Sequence, residues 1–280
     1  MTIGEYIVAI PSYNRAPLCN TKTLAMLHEN NIAKEKINVY VANKEEYEIY
    51  KQELDPKLYG KLIIGVKGLV PQRQFIMESL PKGKHIVFFD DDVESVDLSL
   101  SQFKGQTLEH FFKEAFKITE GRKAFIWGVY PVFNPYFRRA RKEVTECLTY
   151  IVGAFYGVIN RPGNKNLLLT LTKENGQKED VERTIKYFIE DGLVIRFNRV
   201  GFITKYYGKV GGLGTFQDRL KPMKEASDRL KKVYPEYGDV VSKKTGMTEF
   251  RLKKLPPMSQ TTNGTRKIKK TKSVKRTRKI

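Results

Sequence analysis

The first hundred residues alternate short apolar runs with helix-like stretches, and this alternation constrains the fold more than any other feature. The apolar runs occupy residues 6–10, 37–41, 62–66 and 86–89. Between them, residues 18–30 are amphipathic, residues 44–54 are charged with spaced apolar positions, and residues 71–80 begin with a proline that suits a first helical turn. Strands that are apolar on both sides and separated by helices are typical of a parallel sheet covered on both faces. The sequence therefore predicts an α/β, Rossmann-like nucleotide-binding half.

The pattern is less regular after residue 103. Residues 124–129 and 151–158 predict further strands, and residues 108–119, 178–190 and 221–233 predict helices. From about residue 256 the chain has no periodicity and almost no apolar residues. Such a composition cannot bury enough apolar surface to fold, so we expect a disordered basic C-terminal tail.

Positive charge is concentrated in this tail. The chain carries a formal net charge of +20, but residues 1–250 contribute 39 basic and 31 acidic groups, a net of +8. Nine Lys or Arg residues fall within 266–279. Such a tail favours salt-dependent, sequence-independent binding to nucleic acid. A nuclear-targeting signal, attraction to anionic membranes and a solubilising tail are alternatives.

Cysteine and histidine usage excludes several classes of protein. Cys19 and Cys147 are the only cysteines, and neither has a partner at metal-ligand spacing. The three histidines are scattered, which argues against a zinc enzyme or a Ser-His-Asp hydrolase. No run approaches the roughly 20 apolar residues that cross a bilayer, and the first residues lack the pattern of a signal peptide. We therefore expect a soluble protein of the cytoplasm or nucleus, with no stable membrane insertion.

Three consecutive aspartates follow the most apolar of the early runs, in the stretch HIVFFDDDVE at residues 85–94. Adjacent carboxylates repel one another unless a cation, a hydrogen-bonding group or open water relieves them. Asp90 and Asp92 lie two residues apart, and carboxylate oxygens are the ligands that Mg²⁺ and Mn²⁺ prefer. The sequence therefore indicates a divalent metal site, with an acidic turn that caps a helix as the alternative.

Two other polar clusters follow predicted strands, and ligands in open α/β sheets bind at the carboxyl ends of strands. Residues 11–15, PSYNR, follow the first strand, and residues 65–73 follow the third. The guanidinium of Arg73 suits a phosphate or an aspartate. A solvated Arg73, and an Asx-type turn at Asn14 and Arg15 with a helix-capping role, are the alternatives.

The stretches IVAIPSYNRAPL and GVKGLVPQRQFIMESLPKGKHIVFFDDDV resemble the amino-terminal half of GT-A fold nucleotide-sugar glycosyltransferases, over roughly the first 95 residues. The resemblance implies a mixed, mostly parallel sheet flanked by helices. It also implies a nucleotide-diphosphate sugar donor, with a UDP-sugar as the first expectation. It implies a domain over residues 1–257, with a nucleotide-binding half at 1–100 and an acceptor-binding half at 101–257, before the tail at 258–280. The residues implied to bind the nucleotide sugar are Pro11, Tyr13, Asn14, Arg15, Arg73, Asp90 and Asp91. Asp92 and Asp90 are implied to bind Mn²⁺ or Mg²⁺.

A later stretch, KEDVER at residues 178–183, resembles the element that supplies the catalytic base of inverting members of this family. The resemblance implies that Asp180 is the base, with Glu179 as its catalytic neighbour, and that the anomeric centre is inverted. An exposed charged helix turn is the alternative. Many members also supply a late histidine ligand, and this chain has no histidine after His110.

More narrowly, the IPSYNR opening and FFDDDV core are similar to the branch of these enzymes associated with TET/JBP-type base hydroxylases in phages, large viruses and kinetoplastids. That similarity implies a virus-encoded enzyme that glycosylates a hydroxylated pyrimidine base in DNA. The residues predicted to contact acceptor DNA are Trp127, Tyr130, Arg138, Arg139, Lys269, Lys270 and Arg276. An aromatic core strand followed by a solvated basic turn is the alternative for the first four.

Three other functions stay open. A nucleotidyltransferase has a related fold, but PSYNRAPL lacks the glycine-rich phosphate loop of those enzymes. A DNA-binding accessory protein with a degenerate enzyme fold would explain the tail and leave the ordered acidic and basic residues unexplained. A glycosyltransferase that acts on a glycan or a protein would use the tail for targeting. The sequence leaves the oligomeric state open.

Overall fold

The computed structural model describes residues 5–204, 215–259 and 267–268, which contain fourteen strands. In chain order they are β1 Tyr6–Pro11, β2 Ile37–Val41, β3 Lys61–Ile64, β4 His85–Phe89, β5 Val93–Asp97, β6 Ile126–Val129, β7 Val144–Thr145, β8 Phe155–Ile159, β9 Ile195–Phe197, β10 Gly201–Thr204, β11 Gly238–Ser242, β12 Thr248–Leu252, β13 Met258–Ser259 and β14 Lys267–Ile268. Eight of them form the central sheet, in the order β3-β2-β1-β4-β8-β6-β9-β7. Both segments predicted as halves, 1–100 and 101–257, contribute strands to this sheet.

The central sheet is mostly parallel. β1 pairs in parallel with β2 and β4, β2 with β3, and β6 with β9. β8 runs antiparallel to β4 and β6, and β7 runs antiparallel to β9. The predicted α/β class, with a mixed and mostly parallel sheet flanked by helices, is therefore confirmed.

Helices cover both faces of the sheet. They are α1 Ala16–Cys19, α2 Ala25–Glu29, α3 Lys44–Glu53, α4 Leu69–Glu78, α5 Leu108–Gly121, α6 Pro135–Arg139, α7 Glu179–Asp191 and α8 Phe216–Val233, and a π-helical segment at Asn20–Leu24 joins α1 to α2. In β1, Val8 and Ile10 pack into one core cluster and Ala9 into the other. Both faces of the central strands are buried, which is why these strands read as continuous apolar runs instead of alternating.

Trp127 in β6 lies at the centre of the larger core. Its side chain is 0% exposed, and its ring lies edge-on to Phe111 and Phe116, at centroid distances of 5.4 and 5.5 Å. The prediction that Trp127 stacks on an acceptor base is therefore wrong, because both faces of the indole are covered by the core. The alternative interpretation, an aromatic core strand, describes this residue.

The apolar pattern misplaced two element boundaries. The strand predicted at 151–158 begins only at Phe155. Before it, the Ile151 amide donates to the Thr184 hydroxyl of α7 at 3.2 Å, and the Gly153 carbonyl accepts from Arg73 of α4 at 2.8 Å. The helix predicted from Pro71 begins at Leu69, after Gly68 with a backbone φ of 101°. Only glycine adopts that angle without strain.

Smaller elements surround the central sheet. β5 pairs with β10, and β11 pairs with β12 beside α8, where Val181, Ile185, Leu230 and Phe250 form a third apolar cluster. β13 pairs with β14 inside the segment predicted as a disordered tail, and residues 260–266 and 269–280 lie outside the described residues. Within the described residues, none of the helices has the length and apolar composition needed to cross a bilayer.

The close contact between β8 and Trp127 gives the first testable prediction. A β-carbon added at Gly157 would lie 2.2 Å from the indole, in a core that cannot yield without distortion. We expect Gly157→Ala to lower the free energy of unfolding by about 1–3 kcal/mol, measured by urea denaturation.

The matched control is Gly121→Ala at the end of α5, where the added methyl group meets open space. We expect that variant to be unchanged or slightly more stable, because alanine favours the helix. Equal stabilities of the two variants would contradict the packing of Trp127 described above.

Candidate functional site

One cavity of about 740 Å³ opens at the carboxyl edge of the central sheet. The loop after β1, the aspartates after β4 and the residues before β8 meet there. β8 reaches this edge because it runs antiparallel to β4, so that its first residue, Phe155, pairs with the last residue of β4, Phe89. The start of α7 closes one side of the cavity. The cavity therefore collects residues that are far apart in the sequence, from Pro11 to Lys254.

Arg15 forms ion pairs with two of the three aspartates. Its guanidinium donates to Asp91 at 2.7 Å and to Asp92 at 2.8 Å. The second oxygen of Asp91 accepts from the Ser12 hydroxyl, and the second oxygen of Asp92 accepts from the Thr204 hydroxyl. All four carboxylate oxygens of this pair therefore accept hydrogen bonds from the protein.

Arg73 forms ion pairs with the third aspartate and with helix α7. It is buried, and it donates to Asp90 at 2.6 Å and to Glu179. The other oxygen of Glu179 accepts from Arg183 at 2.6 Å, and Arg183 stacks on the ring of Tyr156 at 3.8 Å. Arg73 is therefore not a solvated surface residue; it joins α4 to the β4 loop and to α7.

Burial and ion pairing act against each other in this cluster. Burial raises the pKa of Asp91 to about 7, although Arg15 acts to lower it. Burial alone would lower the pKa of Arg73, but the carboxylates of Glu179 and Asp90 outweigh it and raise that pKa. In the described structure, arginine side chains relieve the repulsion among the three carboxylates that follow β4.

Asp180 lies at the first turn of α7. The helix begins after Lys178, whose backbone is left-handed with a φ of 62°, and acidic groups in a first turn interact favourably with the helix dipole. Asp180 accepts a hydrogen bond from the Tyr150 hydroxyl and, through its other oxygen, one from the backbone amide of Val181 at 2.9 Å. Its side chain lines the cavity, so the alternative of an exposed charged turn does not describe it.

The predicted nucleotide loop has three residues on the cavity and one outside it. Pro11, Tyr13 and Arg15 line the cavity. Asn14 is exposed, and its backbone is left-handed with a φ of 56°. The helix α1 that follows has no side-chain cap, so the helix-capping role of the alternative interpretation is not what the structure shows. Its amide donates to Glu46 at 2.9 Å.

The basic and aromatic residues predicted to bind the acceptor are scattered. Arg138 is 0% exposed and pairs with Asp97. The prediction that it binds nucleic acid is therefore wrong, because its guanidinium is buried in an ion pair within the protein. Tyr130 is buried against Arg196 and Arg141, whereas Arg139 is exposed. Lys269, Lys270 and Arg276 lie outside the described residues.

The chemistry of the donor set fits a hard divalent ion. The Asp90 side chain is 36% exposed, and each carboxylate oxygen of Asp90 and Asp92 has lone pairs beyond those used in the hydrogen bonds above. Within the described residues, no three His, Cys, Asp or Glu side chains are grouped as ligands, so a bound ion would take its remaining ligands from a diphosphate and water.

The sequence did not point to several residues of the cavity. Ser12 and Thr204 hold the aspartates, Lys67 lies over the Tyr13 ring at 5.4 Å, and Arg196 lines the wall near Asp180. For Lys67, its place three residues after the third strand was a usable signal. The other three give no signal, because single hydroxyl and guanidinium residues occur throughout the chain.

The buried pairing of Arg73 gives a prediction for stability. Replacing it by methionine keeps most of the apolar volume and leaves two carboxylates, those of Glu179 and Asp90, without this guanidinium. We expect Arg73→Met to lower the free energy of unfolding by about 3–5 kcal/mol, measured by chemical denaturation.

Arg122→Met is the matched control, because Arg122 is 59% exposed and pairs with Glu146 at the surface. We expect a loss of less than about 1 kcal/mol there. A comparable small loss for Arg73→Met would show that its ion pairs do not hold the site together.

No family model matches the sequence, and no curated protein matches it. Solved structures do show similarity. TarS 1–349 of S. aureus in complex with UDP is 12% identical, with a TM-score of 0.46 over 81% of this chain and 65% of that chain. The mannosyltransferase PcManGT of Pyrobaculum calidifontis, in complex with GDP-Man and Mn²⁺, is 15% identical, with a TM-score of 0.48 over 82% of this chain and 64% of that chain. GalNAc-T7 with UDP, GalNAc and Mn²⁺ is 13% identical, with a TM-score of 0.49 over 81% of this chain and 48% of that chain. This chain therefore spans less than two thirds of each of these proteins.

Proposed function

We propose that this protein is a glycosyltransferase of GT-A type that moves a hexose from a nucleoside diphosphate sugar to a hydroxyl group. One observation carries the proposal: the loop after β1, the aspartates after β4 and the acidic start of α7 converge on one cavity at the carboxyl edge of the sheet. Ligands of open α/β folds bind at that edge. The cavity volume of about 740 Å³ is within the range of small-molecule and cofactor sites.

The donor nucleotide occupies the end of the cavity formed by the first and third strands. Pro11 and Tyr13 lie there opposite Lys67, and the Tyr13 ring offers a face for a base to stack on. A UDP-sugar is the donor that we propose first. Arg15 and Arg73 line the same cavity, where a diphosphate would meet their guanidinium groups.

Asp90 and Asp92 hold Mn²⁺ or Mg²⁺ in this proposal. A bound ion stabilises negative charge on the departing diphosphate as a Lewis acid. Arg15 and Arg73 act on the same charge, because guanidinium groups form paired hydrogen bonds to phosphate oxygens. Asp91 stays between Arg15 and Ser12 and orients Arg15.

Asp180 is the proposed base. The acceptor oxygen forms a bond to the anomeric carbon, the bond from that carbon to the diphosphate oxygen breaks, and the acceptor proton passes to a carboxylate oxygen of Asp180. The Tyr150 hydroxyl donates to Asp180 and fixes the orientation of its carboxylate. Attack from the side opposite the diphosphate inverts the anomeric centre.

Glu179 has a different role from the catalytic one predicted for it. Each of its oxygens accepts from a guanidinium, one from Arg73 and one from Arg183, and the residue is 3% exposed. A carboxylate enclosed in this way positions Arg73 at the cavity and does not exchange protons with an acceptor.

For the acceptor we propose a hydroxylated pyrimidine base in nucleic acid, on the strength of one surface. Phe133, Tyr136 and Phe137 expose aromatic rings beside the exposed Arg139, and the Tyr136 side chain is 77% exposed. Aromatic faces and cations side by side suit unpaired bases and their backbone. The net charge of +20 supports the same acceptor.

The experiment combines donors and acceptors. Purified protein with Mn²⁺ is incubated with radiolabelled UDP- and GDP-sugars and with DNA that contains 5-hydroxymethyl pyrimidines, unmodified DNA, a glycan mixture or a protein mixture. We expect label to enter only the hydroxymethylated DNA. Transfer to glycan or protein would retain the enzyme class and replace the acceptor. Tight DNA binding without any nucleotide-sugar binding would instead indicate the accessory protein.

The same assay tests the base. We expect Asp180→Asn to slow transfer by at least about 100-fold, because a general base contributes factors of that size, and to leave the donor affinity within about threefold. Asp228→Asn, an exposed carboxylate on α8 that pairs with Lys224, is the control and keeps the full rate. Full turnover by Asp180→Asn would remove Asp180 from the mechanism.

A further inference from the structure

The cavity wall around Asp180 carries more positive charge than its carboxylates match. Besides Arg219, the basic side chains that line this wall are Lys178, Arg196, Arg251 and Lys254. The acidic ones are Glu179, Asp180 and Glu249, and Glu179 already pairs with Arg73 and Arg183. Glu249 already pairs with Lys243 at 2.6 Å. At the nucleotide end, by contrast, Arg15 and Arg73 each contact two carboxylates. The surplus of cations lies on the side of the proposed base.

Arg196 in β9 is half-buried and lies among uncharged groups. Its Nε donates to the side-chain oxygen of Asn198 at 2.7 Å, and one terminal nitrogen donates to the Tyr150 carbonyl at 3.2 Å. Its guanidinium lies over the Tyr130 ring at 5.2 Å. These partners are all uncharged, and among the described residues no carboxylate lies within ion-pair distance of it. Burial lowers the pKa of Arg196 to about 10, which is the cost of holding a cation without a counter-charge.

Two lysines extend the same charge toward the mouth of the cavity. Lys178 precedes α7, and burial lowers its pKa although Asp180 and Glu249 act to raise it. Lys254 is exposed, and it acts together with Arg196 on the Cys147 thiol between them. Arg196, Lys178 and Lys254 therefore line the same cavity as Tyr150 and Asp180, where the acceptor hydroxyl is proposed to lie.

We propose that Arg196, with Lys178 and Lys254, binds a phosphate group of the acceptor close to the hydroxyl that receives the sugar. This inference rests on the proposed function, which places the acceptor hydroxyl beside Asp180. A planar guanidinium that is already oriented by neutral partners offers paired donors to phosphate oxygens, and a partly desolvated site strengthens each bond. Phosphate binding would supply the missing counter-charge.

The donor diphosphate is the competing ligand for this charge. It has its own cations in Arg15 and Arg73, whereas Arg196 contacts the backbone of Tyr150, whose side chain orients Asp180. The two ligands make different predictions. A variant at Arg196 weakens acceptor binding if the acceptor phosphate is bound there, and weakens nucleotide binding if the donor is.

The test titrates glycerol 3-phosphate, a small probe that carries a phosphate beside hydroxyl groups, into the full chain by calorimetry. UDP or GDP with Mn²⁺ first fills the nucleotide end, and glycerol is the uncharged comparison. We expect glycerol 3-phosphate to bind and glycerol not to bind. Arg196→Gln should weaken the phosphate probe about tenfold or more and change the nucleotide affinity less than twofold.

Arg199→Gln is the matched control, since Arg199 lies three residues further on, pairs with Glu143 at 3.5 Å and does not line the cavity. It should bind the probe as the unmodified chain does. If Arg196→Gln does not fold, Lys254→Gln at the exposed mouth is measured instead, with an expected loss of about threefold.

Three results would overturn the inference: equal binding of glycerol and glycerol 3-phosphate, unchanged probe affinity in the folded Arg196 or Lys254 variant, or a loss of nucleotide affinity as large as the loss of probe affinity. The probe is also titrated without nucleotide, which reports on Arg196 alone. If neither UDP nor GDP binds in any titration, the proposed function is rejected, and the result for Arg196 still stands or falls by itself.

The source of the phosphate is separated in a second arm. A short single-stranded oligonucleotide competes with the probe, beside the same oligonucleotide with an uncharged methylphosphonate backbone. Competition by the charged strand alone assigns the group to nucleic acid, and competition by neither assigns it to a small phosphorylated polyol. Equal competition by both would show that charge is not what Arg196 binds.

Discussion

Two guanidinium groups hold the carboxylates at the carboxyl edge of the sheet, and the geometry of the candidate site depends on them. Arg73 joins α4 to Asp90, to the Gly153 carbonyl and to Glu179 at the start of α7. Arg15 ties the loop after β1 to Asp91 and Asp92. A buried ion pair gives little net stability relative to apolar packing, but it fixes which groups face each other. The order of the loops around the cavity follows from these contacts.

The same pairing divides the cavity into two electrostatic regions. At the nucleotide end each arginine forms ion pairs with carboxylates, so a metal ion or a diphosphate that binds there competes with ion pairs that already exist. Beside Asp180 the cations outnumber the carboxylates, and Arg196 is held by neutral groups. A reaction that brings an anionic donor to one region and an anionic acceptor to the other places the transferred sugar between them, next to the proposed base.

Much of the fold follows from local patterns in the sequence. The apolar runs predict the central strands because these strands are buried on both faces, and β2 is predicted with its observed bounds, Ile37–Val41. The start of β8 was not predictable from the apolar run, since residues 151 and 153 bond to Thr184 and to Arg73, 33 and 80 positions away.

The site was predictable only where the sequence concentrates charge. Three adjacent aspartates after a buried strand draw attention by themselves, and so does KEDVER. The sequence offered an aspartate as one possible partner of Arg73, but it does not show that Arg15 pairs with Asp91 and Asp92, because those contacts cross 76 and 77 positions. Likewise Trp127 and Arg138 are of residue types that are common in nucleic-acid-binding surfaces, but both are core residues in the structure. Burial depends on neighbours that a linear pattern does not reveal.

The most direct test of the account is a crystal structure of the protein with a nucleoside diphosphate and Mn²⁺. We expect density for the nucleotide beside Tyr13, with the diphosphate beside Arg15 and Arg73 and the ion on Asp90 and Asp92. Nucleotide density elsewhere on the protein, or a cavity that stays free of nucleotide at saturating concentration, would contradict it.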